Sequence, residues 1–238
     1  MTGRAFGRPF IVAIDGPAGA GKSSAARGLA GRLGFALVDT GAIYRAVALA
    51  AARAKIAFDD DRSLEALLPS LRIRFEAAEA GQRVLLGEED VTLAIRTPAM
   101  SLGASAVSAR PLVRSALLGL QRALATRPGQ RGAVLEGRDI GTVVFPDADV
   151  KFFLTASPEV RARRRFEELV AKGAKMALEQ VRDEQDKRDR DDAERAVAPL
   201  RPAGDAVLFD TSALDLDEVV ERLSRLVEGR MEAPGRSR

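Results

Sequence analysis

The 238-residue chain has no Cys, no His, no Trp and no Asn, and only one Tyr. Without Cys there is no disulfide scaffold and no thiolate-held zinc or iron–sulfur site. Without His the chain lacks the commonest general base and the commonest metal ligand. Any chemistry must therefore run on Lys, Arg, carboxylates, hydroxyls, backbone amides or a bound cation. Long apolar runs are missing too. No stretch approaches the ~18 residues of a membrane span, and the longest run near the start, Phe10 to Ile14, ends at Asp15 and is too short for a signal-peptide core. A cytoplasmic protein with no membrane association is the expectation.

Cations are present, and they are almost all of one type. Of 37 Lys and Arg residues, six are Lys and 31 are Arg, against 34 Asp and Glu. Guanidinium forks grip phosphates and carboxylates bidentately, which suits a handler of anions. An Arg-rich proteome would give the same bulk bias, so position must decide which Arg residues matter. Apolar residues reach 46%, enough for a sizeable core.

Short apolar runs alternate with longer segments of helical period, the pattern of an α/β fold around a parallel sheet. Strands are expected at Phe10–Ile14, Ala36–Val38, Ala133–Leu135, Val150–Leu154 and Ala206–Phe209. Their lack of polar alternation predicts cover on both faces. Helices are expected at Lys22–Leu33 with Gly34 as its stop, and at Ala42–Ala54, Pro111–Thr126, Pro158–Val170 and Asp217–Val227. Ser157 is placed to cap the fourth, with Pro158 in its first turn. From about Ser63 to Met100 the rhythm breaks. Leu71–Phe75 alternates, Gly81 can turn and Arg83–Leu86 follows, which reads as a small antiparallel insertion.

Gly16-Pro17-Ala18-Gly19-Ala20-Gly21-Lys22-Ser23, followed by Ser24, fits G-x-x-x-x-G-K-[ST] between an expected strand and an expected helix. Glycines let backbone amides converge on phosphate oxygens, and the helix start adds its dipole. Lys22 is placed to reach the outer phosphates, and the Ser23 hydroxyl to ligate Mg²⁺. The motif predicts binding of ATP or GTP with Mg²⁺. The absence of Asn removes the Asn-Lys-x-Asp guanine reader of regulatory GTPases, and no D-x-x-G follows the loop. An apolar strand ending in Asp-Glu, usual in nucleic-acid-dependent ATPases, is also missing: Ala133-Val-Leu-Glu136 is followed by Gly. Transfer to a bound acceptor is favoured over hydrolysis.

Three further motifs carry recognition. Val38-Asp-Thr-Gly-Ala-Ile-Tyr-Arg45, Glu136-Gly-Arg-Asp-Ile-Gly-Thr-Val-Val-Phe-Pro146 and Arg188-Asp-Arg-Asp-Asp-Ala-Glu-Arg195 with Ala-Val-Ala-Pro-Leu200 resemble bacterial cytidylate kinases over about residues 8–228. The resemblance implies a phosphate-loop nucleoside monophosphate kinase with a five-stranded parallel core over 1–62 and 104–230. It also implies a mobile lid near 158–175 and an inserted part of the monophosphate-binding domain at 63–103; the polar, Pro/Gly/Arg-rich composition of the last residues reads as a flexible tail at 231–238. Thr40 stands where some members have Ser, and Glu136 where some have Asp.

The implied reaction is ATP·Mg²⁺ plus CMP or dCMP giving ADP plus CDP or dCDP, by a monomer acting on small molecules and not on nucleic acid. Arg45 and Arg138 would clamp the acceptor phosphate beside Tyr44. Ser105, Arg114 and Asp139 would meet cytosine, and Arg188 and Asp192 the sugar, with Arg195 near base or phosphates. One or more of Arg161, Arg164 and Arg165 would cover the transferring phosphoryl, while Glu136 or Asp139 would orient water on Mg²⁺. Blander readings stand beside these: a solvated face for Arg161–Arg165, a helical i,i+4 pair for Arg188 and Asp192, core packing for Tyr44 and a structural cap for Asp139. The rival functions are another small-molecule kinase, or an ATPase stimulated by nucleic acid.

Overall fold

A computed structural model describes residues 8–78, 81–171 and 173–233. In chain order its elements are β1 (Phe10–Asp15), α1 (Lys22–Leu33), β2 (Ala36–Asp39), α2 (Thr40–Arg53), α3 (Asp61–Leu67), β3 (Ile73–Ala78), β4 (Gly81–Leu86) and β5 (Glu89–Asp90). There follow α4 (Pro98–Ser108), α5 (Pro111–Ala125), β6 (Gly132–Glu136), β7 (Val150–Thr155), α6 (Pro158–Ala171), α7 (Leu178–Glu194), β8 (Val207–Asp210) and α8 (Leu216–Glu232). The described chain divides into two compact units, one within Met1–Val38 and Leu124–Arg238, the other Asp39–Ala123.

The first unit holds a five-stranded parallel sheet in the order β2-β6-β1-β7-β8. The central strand β1 is buried along its whole length, as an unbroken apolar run with one terminal carboxylate requires. It runs in register with β6 from Phe10 opposite Gly132 to Ile14 opposite Glu136, and with β7 from Val12 opposite Val150. Helices α1 and α8 pack together, and Leu29, Val134, Phe152, Leu223 and Val227 meet in the core beneath them. In parallel sheets the carboxyl ends of the strands face the ligand. Here those ends present Asp15, Glu136 and Thr155.

Helix α1 is flanked by Gly21 and Gly34, both in the left-handed region that glycine tolerates best. Helix α6 begins as expected, with the Val160 amide donating to Ser157 Oγ at 3.3 Å. Two features depart from the sequence reading. The strand β8 is an edge, exposing Val207 and Leu208 rather than burying both faces, because an open five-stranded sheet must leave its outermost strands half covered. The helix α7 was read only as a possible helical turn around Arg188 and Asp192, and its full extent from Leu178 to Glu194 was not expected. Its seventeen residues carry too few apolar side chains to show a period, and Val181 alone of them is a buried aliphatic.

In the second unit, β3, β4 and β5 form a small antiparallel sheet in that order, with Ile73 opposite Leu86 and Leu85 opposite Asp90. The stretch expected as an insertion lies within this unit. Gly81, expected as the turn, is the first residue of β4, and 79–80 lie outside the described residues. Helices α2 and α4 pack closely because Ala and Gly line the contact. A Cβ on Gly103 would stand 2.9 Å from the Phe58 ring and 3.0 Å from Ala48. The helix α8 continues through Met231 and Glu232, the first residues of the stretch expected as a tail, and 234–238 lie outside the described residues.

Removing the fully buried side chain in Leu29→Ala is expected to lower the unfolding free energy by about 2–5 kcal/mol, whereas Leu208→Ala, at a site 68% exposed, should cost less than about 0.5 kcal/mol. Urea denaturation of the two variants checks this. Equal losses would contradict the placement of the core.

Candidate active site

The loop from Gly16 to Gly21 leaves the carboxyl end of β1 and opens α1, so its amides and the uncapped first turn of the helix point the same way. Two glycines are forced. Gly16 has φ +146, and a Cβ there would lie 2.0 Å from the Leu154 carbonyl oxygen. Gly19 has φ +76, with Gln185 Nε2 at 2.5 Å and the Arg161 carbonyl at 2.8 Å from where its Cβ would stand. Lys22 is buried and donates from Nζ to the Pro17 carbonyl at 2.7 Å, which folds its ammonium back over the loop. Burial pushes its pKa down to about 7, and Arg138 adds to that while Glu136 opposes it. Ser23 and Ser24 are exposed at the start of α1. The Ser23 hydroxyl donates to Glu136 Oε1 at 2.6 Å, bringing two hard oxygen donors side by side at the ends of α1 and β6.

Around this loop the fold gathers cations and the carboxylates that hold them. Arg138 donates from Nε to Asp192 Oδ2 at 2.7 Å, and Arg195 lies 3.5 Å from Asp192 Oδ1. Burial alone would raise the Asp192 pKa, but Arg138, Arg188 and Arg195 outweigh it and hold the carboxyl below its usual range. Arg188 also acts on Lys22, so Lys22, Arg138, Arg188, Asp192 and Arg195 form one electrostatic group. Arg188 and Asp192 lie on the same helix, as the blander reading had it, and the Asp192 carboxylate also accepts from Arg195 and from Arg138, the latter 54 positions earlier in the sequence.

The three guanidinium groups of α6 go different ways. Arg161 is buried, pairs with Asp189 and donates to the carbonyls of Ala18 and Ala156, both at 3.1 Å. Arg164 donates to Thr211 Oγ1 at 2.9 Å, and its Nη1 stands 3.8 Å from the Cβ position of Gly21. Arg165 turns to Glu168 at 2.8 Å. The structure therefore brings Arg161 and Arg164 to the loop and directs Arg165 along its own helix.

Asp139 is buried, and it precedes a π-type turn in which the Phe145 amide bonds to the Ile140 carbonyl at 2.7 Å. That turn is anchored by Asp15, whose two oxygens accept the amides of Ile140 at 2.8 Å and Gly141 at 2.7 Å. Burial raises the pKa of Asp15 to about 6 against the pull of those two amides.

In the second unit, Thr40 is the buried first residue of α2, and Asp39 caps that helix through the Ala42 amide at 2.8 Å. The same carboxylate pairs with Arg45 at 3.1 Å and lies 4.0 Å from Arg96. Tyr44 is buried, and its hydroxyl accepts from Gln121 Nε2 at 3.3 Å. The Arg114 guanidinium lies 5.6 Å from the centre of the Tyr44 ring and donates to the Ser108 carbonyl at 3.2 Å. Ser105 is half-exposed on α4, and its carbonyl accepts the Ser108 hydroxyl at 3.0 Å.

Sequence reasoning named most of these groups and missed Asp15, Asp39, Arg96, Gln121, Gln185 and Thr211. Asp15 was readable only as the end of an apolar run. Gln121 carried no signal, since one amide on an amphipathic helix looks like any exposed polar residue. Among the described residues, no group of three or more Asp and Glu side chains could hold a metal by itself, and no helix is long and apolar enough to cross a membrane.

A parallel sheet whose central strand feeds a glycine-rich loop, with a buried Lys, a Ser–carboxylate pair and clustered guanidinium groups beside it, defines a phosphate-loop kinase. Comparison with known proteins narrows the class. The cytidylate kinase family profile matches residues 12–229. A cytidylate kinase from Syntrophotalea carbinolica is 52% identical over 94% of this chain and 94% of its own length. One from Geobacter sulfurreducens is 54% identical over 96% and 97%, and one from Pseudomonas aeruginosa 48% identical over 92% and 95%. The chain belongs to the cytidylate kinase family and is a phosphotransferase with a phosphate group as acceptor.

The raised pKa of Asp15 gives a signed expectation for stability. In the folded chain this carboxyl binds a proton up to pH about 6, and in the unfolded chain only up to about 3.8. Between those values the folded state holds more protons, so the contribution of Asp15 to stability falls as pH rises and is flat above about 6. The full effect is about 3 kcal/mol. Carboxyl-carbon NMR titration should place the Asp15 midpoint near 6, and a midpoint below 4 would contradict the burial argument.

Proposed function

We propose that the chain catalyses direct transfer of the terminal phosphoryl of ATP to the phosphate of CMP or dCMP. The observation that carries this reading is the electrostatic group at the loop: Lys22, Arg138, Arg188 and Arg195 held around Asp192, in a chain with no imidazole. Such a group neutralises anions and cannot act as a conventional general base. The acceptor needs none. A phosphate monoester has its second pKa near ~6 and is already mostly dianionic at neutral pH. Its oxygen forms the new bond to phosphorus as the bridging bond to ADP breaks, and no phosphoenzyme is required. What the reaction needs is two polyanions aligned and their repulsion offset.

In this reading Gly16–Ser24 cradle the donor phosphates, and Lys22 follows the charge on the moving group. Ser23 and Glu136 fit Mg²⁺, since hydroxyl and carboxylate oxygens are the donors this hard cation takes. When bound, the cation would neutralise donor phosphate charge. Arg45 and Arg138 grip the acceptor phosphate, with Thr40 and Tyr44 beside it. Ser105, Arg114 and Asp139 read cytosine, whose N4 amino group donates and whose O2 and N3 accept. Uracil reverses the polarity at position 4, so a carboxylate there disfavours UMP. Arg188, Asp192 and Arg195 complete the acceptor side, and Arg164, with Arg161 behind it, faces the transferring group. Closure of the 158–175 stretch would exclude water and so suppress hydrolysis of ATP. Small nucleotides are the only partners this reading asks for, and a monomer in the cytoplasm suffices.

A coupled ADP-release assay over CMP, dCMP, UMP, AMP and GMP is expected to give the highest kcat/KM with CMP or dCMP. A higher value with UMP or AMP would overturn the reading, and stimulation by added RNA or DNA would restore the nucleic-acid-dependent rival. Lys22→Ala should lower kcat by about 10²–10³-fold with a much smaller change in CMP affinity. A defect confined to CMP affinity would contradict its role. Arg114→Met should narrow the CMP-over-UMP preference by about tenfold or more, and an unchanged preference would remove Arg114 from base recognition.

A further inference from the structure

The carboxylate of Asp15 has no part in the scheme above, yet it joins two segments that do. It is the last residue of β1, so Gly16 of the phosphate loop is its covalent neighbour. Its two oxygens accept the successive amides of Ile140 and Gly141, 125 and 126 positions away in the sequence. Those amides begin the π-type turn directly after Arg138 and Asp139. The site is closed around the contact. Asp15 is 4% exposed, and a Cβ on Gly141 would stand 3.4 Å from Asp15 Oδ2 and 3.1 Å from the Lys151 chain. Lys151 is itself fastened to the Pro146 carbonyl at 2.6 Å and Asp205 at 2.8 Å, so the turn cannot shift away without breaking its far end.

We propose that Asp15 is a positioning residue, which fixes the Arg138–Asp139 segment against the phosphate loop and so sets the acceptor-gripping guanidinium relative to the donor phosphates. The inference rests on the function proposed above. The geometry makes the arrangement specific. Two adjacent backbone N–H groups converging on one anion form a small anion cradle, and a carboxylate with an acceptor on each oxygen fills it. A side chain with one acceptor cannot. The side chain of Arg138 is held at its other end by Asp192 at 2.7 Å, so this Arg is fixed through its backbone by one carboxylate and through its guanidinium by another.

Asp15→Asn keeps the size, removes one acceptor and turns an amide group against a backbone N–H. It should lower kcat/KM for CMP by about 10–10²-fold, with KM for CMP raised and kcat reduced. Affinity for ATP measured calorimetrically without CMP should change less than about threefold. Asp15→Glu, which keeps both acceptors on a stem one methylene longer, should show the same split to a smaller degree, and it carries the test if the Asn variant does not fold. Val219→Ala, an aliphatic truncation in the core, serves as a control for lost stability alone and should leave the ratio of CMP to ATP effects near one. Equal weakening of ATP and CMP, or unchanged kinetics in the variant, overturns the positioning role. A wild-type enzyme that fails to phosphorylate CMP overturns the proposed function instead, so the two failures are separate.

Discussion

Mutual repulsion among cations is the constraint on which this structure turns. Arg138 and Arg188 stand close enough to lower the proton affinity of Lys22, the three guanidinium groups of Arg138, Arg188 and Arg195 act on one carboxylate, Asp192, and burial of Lys22 makes that proximity costlier. Glu136 and Asp192 offset the repulsion. The fold supplies what the charges cannot: a central strand with no exposed residue, neighbours in parallel register on both sides, and helices pinned over it by Leu29, Leu223 and Val227. With that frame beneath them, the cations are held together at one end of the sheet, where an anion can meet several of them at once.

The same logic appears on a smaller scale in the Asp39–Ala123 unit. Asp39 terminates β2, caps α2 and holds Arg45, so one carboxylate does three jobs that would otherwise need separate residues. Tyr44 sits between Gln121 and Arg114, with its hydroxyl on an amide and its ring near a guanidinium. Both arrangements place a fixed guanidinium without an imidazole nearby, which is what a chain lacking His must do if it handles phosphate and pyrimidine together.

Much of this was legible in the sequence, for identifiable reasons. Lys22–Leu33 was readable at both ends because glycine brackets it and the loop motif fixes its start. The sheet strands were found to within a residue or two, since buried parallel strands are continuous apolar runs. Helix α7 was not, because it is held by Val181, Gln185, Asp192 and ion pairs rather than by an apolar stripe, and a polar helix has no period to read. Arg161 and Arg164 look alike in sequence, but one is buried against the Ala18 carbonyl and Asp189 and the other bonded to Thr211. Which of two neighbouring side chains turns inward depends on the helix's rotation, and no spacing rule fixes that to one residue. Asp15 escaped for a different reason: it works through the backbone amides of Ile140 and Gly141, and those partners have no side-chain signature.

The crowding at Gly19 reaches beyond this chain's own chemistry. Because Gln185 and the Arg161 backbone fill the space where a side chain would grow, the glycine-rich loop and the packed helices α6 and α7 are complementary surfaces and not independent modules. A graft of this loop onto another kinase scaffold would import half of a fitted pair. It would hold its shape only where the recipient offers an amide-sized neighbour at the place of Gln185. Interchange of parts within the fold is thereby limited by shape at one atom's breadth, even where the motif itself is shared.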